Sequence, residues 1–98
     1  MTHFMVEITY TVAFDVLSSV VPEHRAFLQT GYDKGWLLMS GPTNPRKGGI
    51  VIAKAPTIDD LRAFFVTDPY AIKGLATYRY VEFDPVKRQP FLESWVTG

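Results

Sequence analysis

The chain has no cysteine. That excludes disulfides, a thiol nucleophile and thiolate metal ligation, and it fits a reducing compartment. Long apolar runs are missing as well. The longest, such as Trp36–Met39 and Ile50–Ala53, are four residues, against the roughly 20 needed to span a bilayer. The start, Met1-Thr2-His3-Phe4, lacks the basic region and apolar stretch of a secretory signal. Charge of one sign is also missing: Lys plus Arg number 10 and Asp plus Glu number 10. No net field draws the chain to nucleic acid or to an anionic membrane. The expectation is a cytoplasmic protein with neither of those partners. Two histidines without a spaced carboxylate pair make no metal site. Lys47-Gly48-Gly49 precedes a strand, not a helix, so it lacks the context of a phosphate loop. No G-x-S-x-G elbow is present, and aromatics are not interleaved with basics as in a single-strand binder.

What is present is apolar mass: 47% of the 98 residues are hydrophobic and 14% aromatic. A chain of this length makes one domain, 1–98, burying about two-thirds of its unfolded surface. Residues 4–13 alternate, with Phe4, Val6, Ile8, Tyr10 and Val12 on one face and Glu7, Thr9 and Thr11 on the other. That period of two predicts a half-buried strand. Asp15 to Ser19 reads as a connection. Pro22 suits the first helical position and Glu23 the first turn, so a helix runs to about Lys34 and stops at Gly35. Trp36–Ser40 reads as a strand ended by Gly41-Pro42, and residues 43–49 as a polar loop rich in turn residues. Ile50–Ala53 is a third strand. Thr57-Ile58-Asp59-Asp60 resembles a capping box and opens a helix with Ile58, Leu61 and Phe65 on one side. Asp68-Pro69 interrupts it. Residues 69–73 add a helical turn, Gly74 breaks it, and residues 76–83 form the fourth strand. The tail, 87–98, carries Phe91, Leu92 and Trp95 and should pack on the domain or on a partner copy.

The order βαββαβ is the ferredoxin-like split βαβ unit, an α+β fold with four antiparallel strands and two helices on one face. The second and third strands are apolar on both faces, which normally means both are covered. Nothing further in the chain covers the second face, so a homodimer or higher oligomer, packed sheet to sheet with closed symmetry, is expected.

Chemistry centres on His24. Phe27 and Leu28 follow at i+3 and i+4 and Gly31 at i+7, so His24 sits in the apolar stripe facing the sheet, while Arg25, Gln29 and Asp33 take the other side. A histidine so placed is either a satisfied core residue or a general acid–base group, since histidine titrates near neutrality. Asp68 before Pro69 is a standard N-cap with Pro at the first helical position; it is equally suited to orient a histidine. Gly41 permits close backbone approach to a ligand. Arg46 and Lys47 either form a solvated basic loop or meet an anionic or phenolic ligand. His3, near the terminus, reads as a surface residue.

Three features then coincide: the helix-borne His24, the stretch Gly35-Trp36-Leu37-Leu38-Met39-Ser40-Gly41-Pro42, and Asp68-Pro69-Tyr70 ahead of Gly74. Together, over roughly residues 4–85, they resemble the YciI-like (YCII-related) family of small bacterial proteins. Its pattern is a helical His, a G-x-L-x-x-x-G-P strand end, a Gly-rich start to the third strand and D-P-[FY] before a small-residue turn. The resemblance implies a ferredoxin-like fold dimerising into an α+β barrel, a His–Asp pair carried onto His24 and Asp68, and no metal or organic cofactor. Where the family has an assigned activity, it is elimination of chloride from a chlorinated hydroxyhydroquinone. Similar dimeric barrels act on small cyclic or aromatic compounds. This chain departs from the family in the Thr43-Asn44-Pro45-Arg46-Lys47 loop after Gly41-Pro42, in a tail with Phe91 and Trp95 that lies largely outside the shared region, and at the entry to the first helix. An Arg often stands just before the His; here Val20-Val21-Pro22-Glu23 precede it and Arg25 follows.

The expected function is a small cofactor-free lyase, isomerase or dehydrochlorinase-like enzyme. His24 and Asp68 would carry the acid–base chemistry, and Gly41, Pro42, Arg46 and Tyr70 would bind the substrate. Tail aromatics join Tyr70 as walls in this reading. The alternative is a non-catalytic dimeric module that binds a small molecule or a protein, with His24 as a core histidine.

Overall fold

Alternation along the first strand decides the layering. In the computed structural model, which describes all 98 residues, β1 spans Thr2–Tyr10, and Phe4, Val6 and Ile8 are buried on its even-numbered face. There follow α1 (Phe14–Leu17), a 3-10 turn (Ser18–Val20), α2 (Val21–Asp33), β2 (Leu37–Pro42), β3 (Gly48–Ala55), α3 (Ile58–Phe65), α4 (Pro69–Ile72) and β4 (Ala76–Phe83). A second 3-10 turn, Pro90–Leu92, leads into α5 (Glu93–Thr97). The sheet is antiparallel in the order β2-β3-β1-β4, the ferredoxin-like α+β topology. Leu28 of α2 and Leu61 and Phe65 of α3 join the even-numbered residues of β1 in one core with Val51 and Ala53 of β3.

Local chemistry accounts for most boundaries. Thr57 caps α3, its Oγ accepting from the Asp60 N–H at 3.1 Å and donating to the Asp60 carboxylate at 2.8 Å. This is a capping box closed on the hydroxyl. Gly35 ends α2 region with φ 78°, a conformation that costs glycine little.

Three boundaries differ from the sequence reading. The strand β1 stops at Tyr10, not at residue 13. Past it, Asp15 accepts from the Val16 N–H and Ser18 Oγ donates to the Asp15 carbonyl, so part of the expected connection is the short helix α1, which buries Leu17. Gly41 and Pro42 belong to β2 and pair with Ile50 and Gly49. Proline is tolerated there because β2 is an edge strand. And β3 begins at Gly48, because that glycine pairs tightly with β1. A Cβ on Gly48 would stand 1.8 Å from the Ile8 carbonyl oxygen. Relief requires moving backbone, so Gly48→Ala is expected to cost ~2–3 kcal/mol by overpacking, read as a lowered urea midpoint with an unchanged slope. Alanine tolerated without loss would contradict this register.

The second sheet face carries Met5, Ile50, Ile52, Val81, Met39 and Phe83; the first four are half-buried, whereas Met39 is 57% and Phe83 40% exposed. The Arg79–Glu7 pair, 3.3 Å, lies on the same face. Within one chain, only one end of this face is covered, by the tail. Trp95 Nε1 donates to the Gly35 carbonyl at 3.0 Å, and Lys54 Nζ donates to the Trp95 carbonyl. The expectation of a surface His3 is overturned here. It is 8% exposed, because β1 already includes it and Trp95 packs edge-on against its ring at 5.5 Å. Burial lowers its pKa. No helix is long and apolar enough to cross a membrane.

Candidate active site

The helix–sheet layer brings two distant segments together. Leu28 and Gly31 anchor α2 on the sheet, and the same stripe carries His24, one turn earlier, to the start of α4. There Asp68 is fully buried. Its position follows from its capping role: Asp68 Oδ1 accepts from the Tyr70 N–H at 3.1 Å. His24 Nδ1 lies 2.9 and 3.0 Å from the two carboxylate oxygens. Tyr78 completes the set, its hydroxyl donating to Oδ2 at 2.7 Å. With donors on every side, the carboxylate acts as acceptor throughout, which assigns the Nδ1–H tautomer to His24. The cap and the histidine partner are therefore one residue performing both tasks.

The His24 ring is held on its flat side too. Tyr70 stacks on it with centroids 3.9 Å apart and planes 8° from parallel. Nε2 has no partner within the chain, and the one buried side-chain nitrogen or oxygen without a partner is His3 Nε2, so His24 Nε2 reaches solvent. The His24 side chain lines a cavity of about 190 Å³ between the start of α2 and the ends of β2 and β3. Gly41, Pro42, Arg46 and Tyr70 line that cavity alongside His24. Asp68 stands behind it. Ser40 at the rim is fixed by Tyr32, hydroxyl to hydroxyl at 2.7 Å. Thr43 ties the loop that carries Arg46: its Oγ accepts from the Lys47 N–H and donates to the Pro45 carbonyl.

Neither phenol is a base near neutral pH. Burial, then the charges of Tyr10 and Asp68, pushes Tyr70 up to about 12. Burial and the hydrogen bond to Asp68 push Tyr78 upward as well. Both remain neutral, Tyr78 as a donor to Asp68, and histidine is the residue type in the cavity suited to proton exchange near neutrality. No group of three or more His, Asp or Glu side chains converges as metal ligands would.

Some placements depart from the sequence reading. The tail aromatics do not wall the cavity: Trp95 lies against His3, and Phe91 is 80% exposed. The tail covers the other sheet face, which local patterning does not reveal. Lys47 is exposed and off the cavity, in keeping with a solvated basic loop, its carbonyl accepting from the Tyr10 N–H. Arg25, assigned to the far side of the helix, lines the cavity instead. It sits in the first turns of α2, where the cavity rim wraps the helix. Tyr78 was missed altogether. The signal lay in β4, whose alternation puts the phenols of Tyr78 and Tyr80 on the core side, where a hydroxyl needs a partner.

Among solved structures, the chain is similar to the 5-chloro-2-hydroxyhydroquinone dehydrochlorinase TftG of Burkholderia phenoliruptrix AC1100, in complex with 2,5-dihydroxybenzoquinone. The TM-score is 0.67 at 20% identity, over 89% of this chain and 92% of that one. It is also similar to SnoaB, a cofactor-independent oxygenase of Streptomyces nogalater, with a TM-score of 0.49 at 16% identity, over 91% of this chain and 96% of that one. No curated protein matches it. The model of the YCII-related domain matches residues 1–84, most of the chain, and on that match the chain belongs to the YCII-related family.

Proposed function

We propose that the chain is a small cofactor-free enzyme, of the lyase, isomerase or dehydrochlorinase kind, that does acid–base chemistry on a small hydroxylated ring. One observation carries the reading: His24 is bound to a buried carboxylate through Nδ1, its Nε2 has no partner in the chain, and the residue lines a cavity. A histidine serving the core alone has no need of that free, solvent-reaching nitrogen. In the proposed step, Nε2 takes a proton from a ring hydroxyl or an activated ring carbon. The electron pair released shifts into the ring, where it expels an anionic leaving group, or, once the His24 imidazolium returns the proton at another ring atom, leaves the double bond relocated. Asp68 keeps the imidazole in the accepting tautomer and stabilises the imidazolium. The stacked Tyr70 face favours the same cation. Gly41 and Pro42 supply backbone against the ring, and Arg46 a donor for its oxygens. A cavity of about 190 Å³ suits a single ring, and the dehydrochlorinase of the same fold, solved with 2,5-dihydroxybenzoquinone, supports that class. The test is turnover of a panel of hydroquinones, chlorinated hydroquinones and small lactones, with His24→Ala and Asp68→Asn as the diagnostic variants.

The reading includes a homodimer that covers the open sheet face. The expected solution mass is twice the 11.1 kDa of the chain. Ile52 lies at the middle of that face, opposite Met5 and Met39. Ile52→Lys should therefore convert the dimer to monomer, measured by light scattering. A monomeric parent protein would remove this part of the reading.

A further inference from the structure

The cavity has an electrostatic character beyond its acid–base pair. The chain has five arginines, 25, 46, 62, 79 and 88. Three are paired with carboxylates: Arg62 with Asp59, Arg79 with Glu7, and Arg88 with Glu93. The two without any carboxylate partner or hydrogen bond inside the chain are Arg25 and Arg46, and both line the cavity. No Asp or Glu lines it. Asp68, the partner of His24, is already engaged by three donors, and Glu23, beside His24 in sequence, by Lys73 at 3.7 Å. Arg46 is also held in place, its guanidinium stacked over the Phe14 ring at 4.3 Å. Stacking on a ring face leaves the N–H edge free, the edge that binds a carboxylate or phenolate bidentately. Both guanidiniums act on the same spot. Each lowers the pKa of the Tyr70 phenol at the cavity wall, against the larger effect of burial.

We propose that this cavity selects a ring that carries a full negative charge on oxygen, held between Arg25 and Arg46 with its reacting face toward His24 Nε2. The proposal rests on reading the cavity as a ring-binding site. It adds the charge of the ligand and the two residues that enforce it. The shared chemistry is an ionised oxygen, which a ring carboxylate or an acidic enol supplies equally well. Arg25 follows His24 directly in the first turns of α2, where Val20, Val21, Pro22 and Glu23 place no other cation ahead of the histidine.

Calorimetric titration of the full chain at low salt tests this with four ligands of one size. Two are anionic at neutral pH, 4-hydroxybenzoate and 2,5-dihydroxybenzoquinone; two are neutral, 4-hydroxybenzamide and hydroquinone. At least one anionic ligand is expected to bind roughly tenfold or more tightly than its neutral counterpart, because charge-assisted pairs are the stronger ones. Arg25→Gln and Arg46→Gln, both exposed and so harmless to the fold, should each erase most of that ratio. Added salt should weaken the anion alone. Which anion wins tells a carboxylate from an enolate. Equal binding of neutral and anionic members, or an anion preference unmoved in both variants, overturns the proposal and leaves the ring-binding reading standing. Failure of every member to bind overturns both.

Discussion

Asp68→Asn is expected to leave the protein folded and to cut turnover of its ring substrate ~100- to 1,000-fold. The hydrogen-bond network allows this separation of effects. Asparagine keeps one carbonyl oxygen where Oδ1 now accepts from the Tyr70 N–H and from His24 Nδ1. Its amide group then faces Tyr78, whose hydroxyl can turn from donor to acceptor. The cap is preserved, but the new amide also faces His24 Nδ1, 3.0 Å from the present Oδ2, and that donor-to-donor contact should cost the fold about 1–3 kcal/mol. What disappears is the negative charge beside the imidazolium. At this separation and in a part-buried setting, a charge pair contributes up to about 4 kcal/mol, which sets the upper end of the expected loss. His24→Ala goes further, removing the base and dropping turnover to background. It also takes one donor away from a fully buried carboxylate, a cost of ~1–3 kcal/mol. Circular dichroism melts and steady-state rates measured on the same samples separate the effects. Asp68→Asn at wild-type rates would reduce Asp68 to a helix cap. Wild-type rates from His24→Ala would end the acid–base reading.

That Asp68 is both cap and partner explains what the sequence shows and what it hides. Its capping role is local, written in Asp-Pro-Tyr, and the helix it opens follows from those three residues alone. The apolar stripe around His24 is equally local. Their meeting across 44 positions follows from the βαββαβ order, since α2 and the segment after α3 must lie on the same sheet face. Strand boundaries were less legible wherever glycine or proline stood. Gly41, Pro42 and Gly48 read as turn residues, yet all three are paired in strands, because edge position and close approach to Ile8 outweigh local preference. The tail was legible only as amphipathic. Placing Trp95 against His3 and Gly35 requires the three-dimensional sheet, and no spacing rule connects residues 60 apart. Tyr78 lay between these cases. Its side of the strand was readable, its partner was not.

Tyr78 also ties the site to the core, and Phe65→Ala is expected to show it. Phe65 is 1% exposed and lies among four rings: Phe64 at 5.1 Å, Tyr78 at 5.6 Å, Phe27 at 6.0 Å and Tyr80 at 6.2 Å. Truncating a phenylalanine so enclosed costs about 3–5 kcal/mol in transfer and cavity terms, a large share of the ~5–15 kcal/mol that holds a domain together. For a chain of this size, the melting temperature should fall by more than about 12 °C. Phe91→Ala, at a site 80% exposed, should move stability by less than about 0.5 kcal/mol, which controls for the loss of an aromatic ring as such. The space left by Phe65 opens directly behind Tyr78, whose hydroxyl fixes Oδ2 of Asp68. Below its melting point the variant should therefore lose turnover as well, although Phe65 touches neither the cavity nor His24. Tyr78→Phe separates the two effects: it keeps the ring that Phe65 packs against and deletes only the hydroxyl. Full activity in Phe65→Ala at temperatures where it is folded would show that the carboxylate is positioned by its own helix and by His24, without support from the aromatic core.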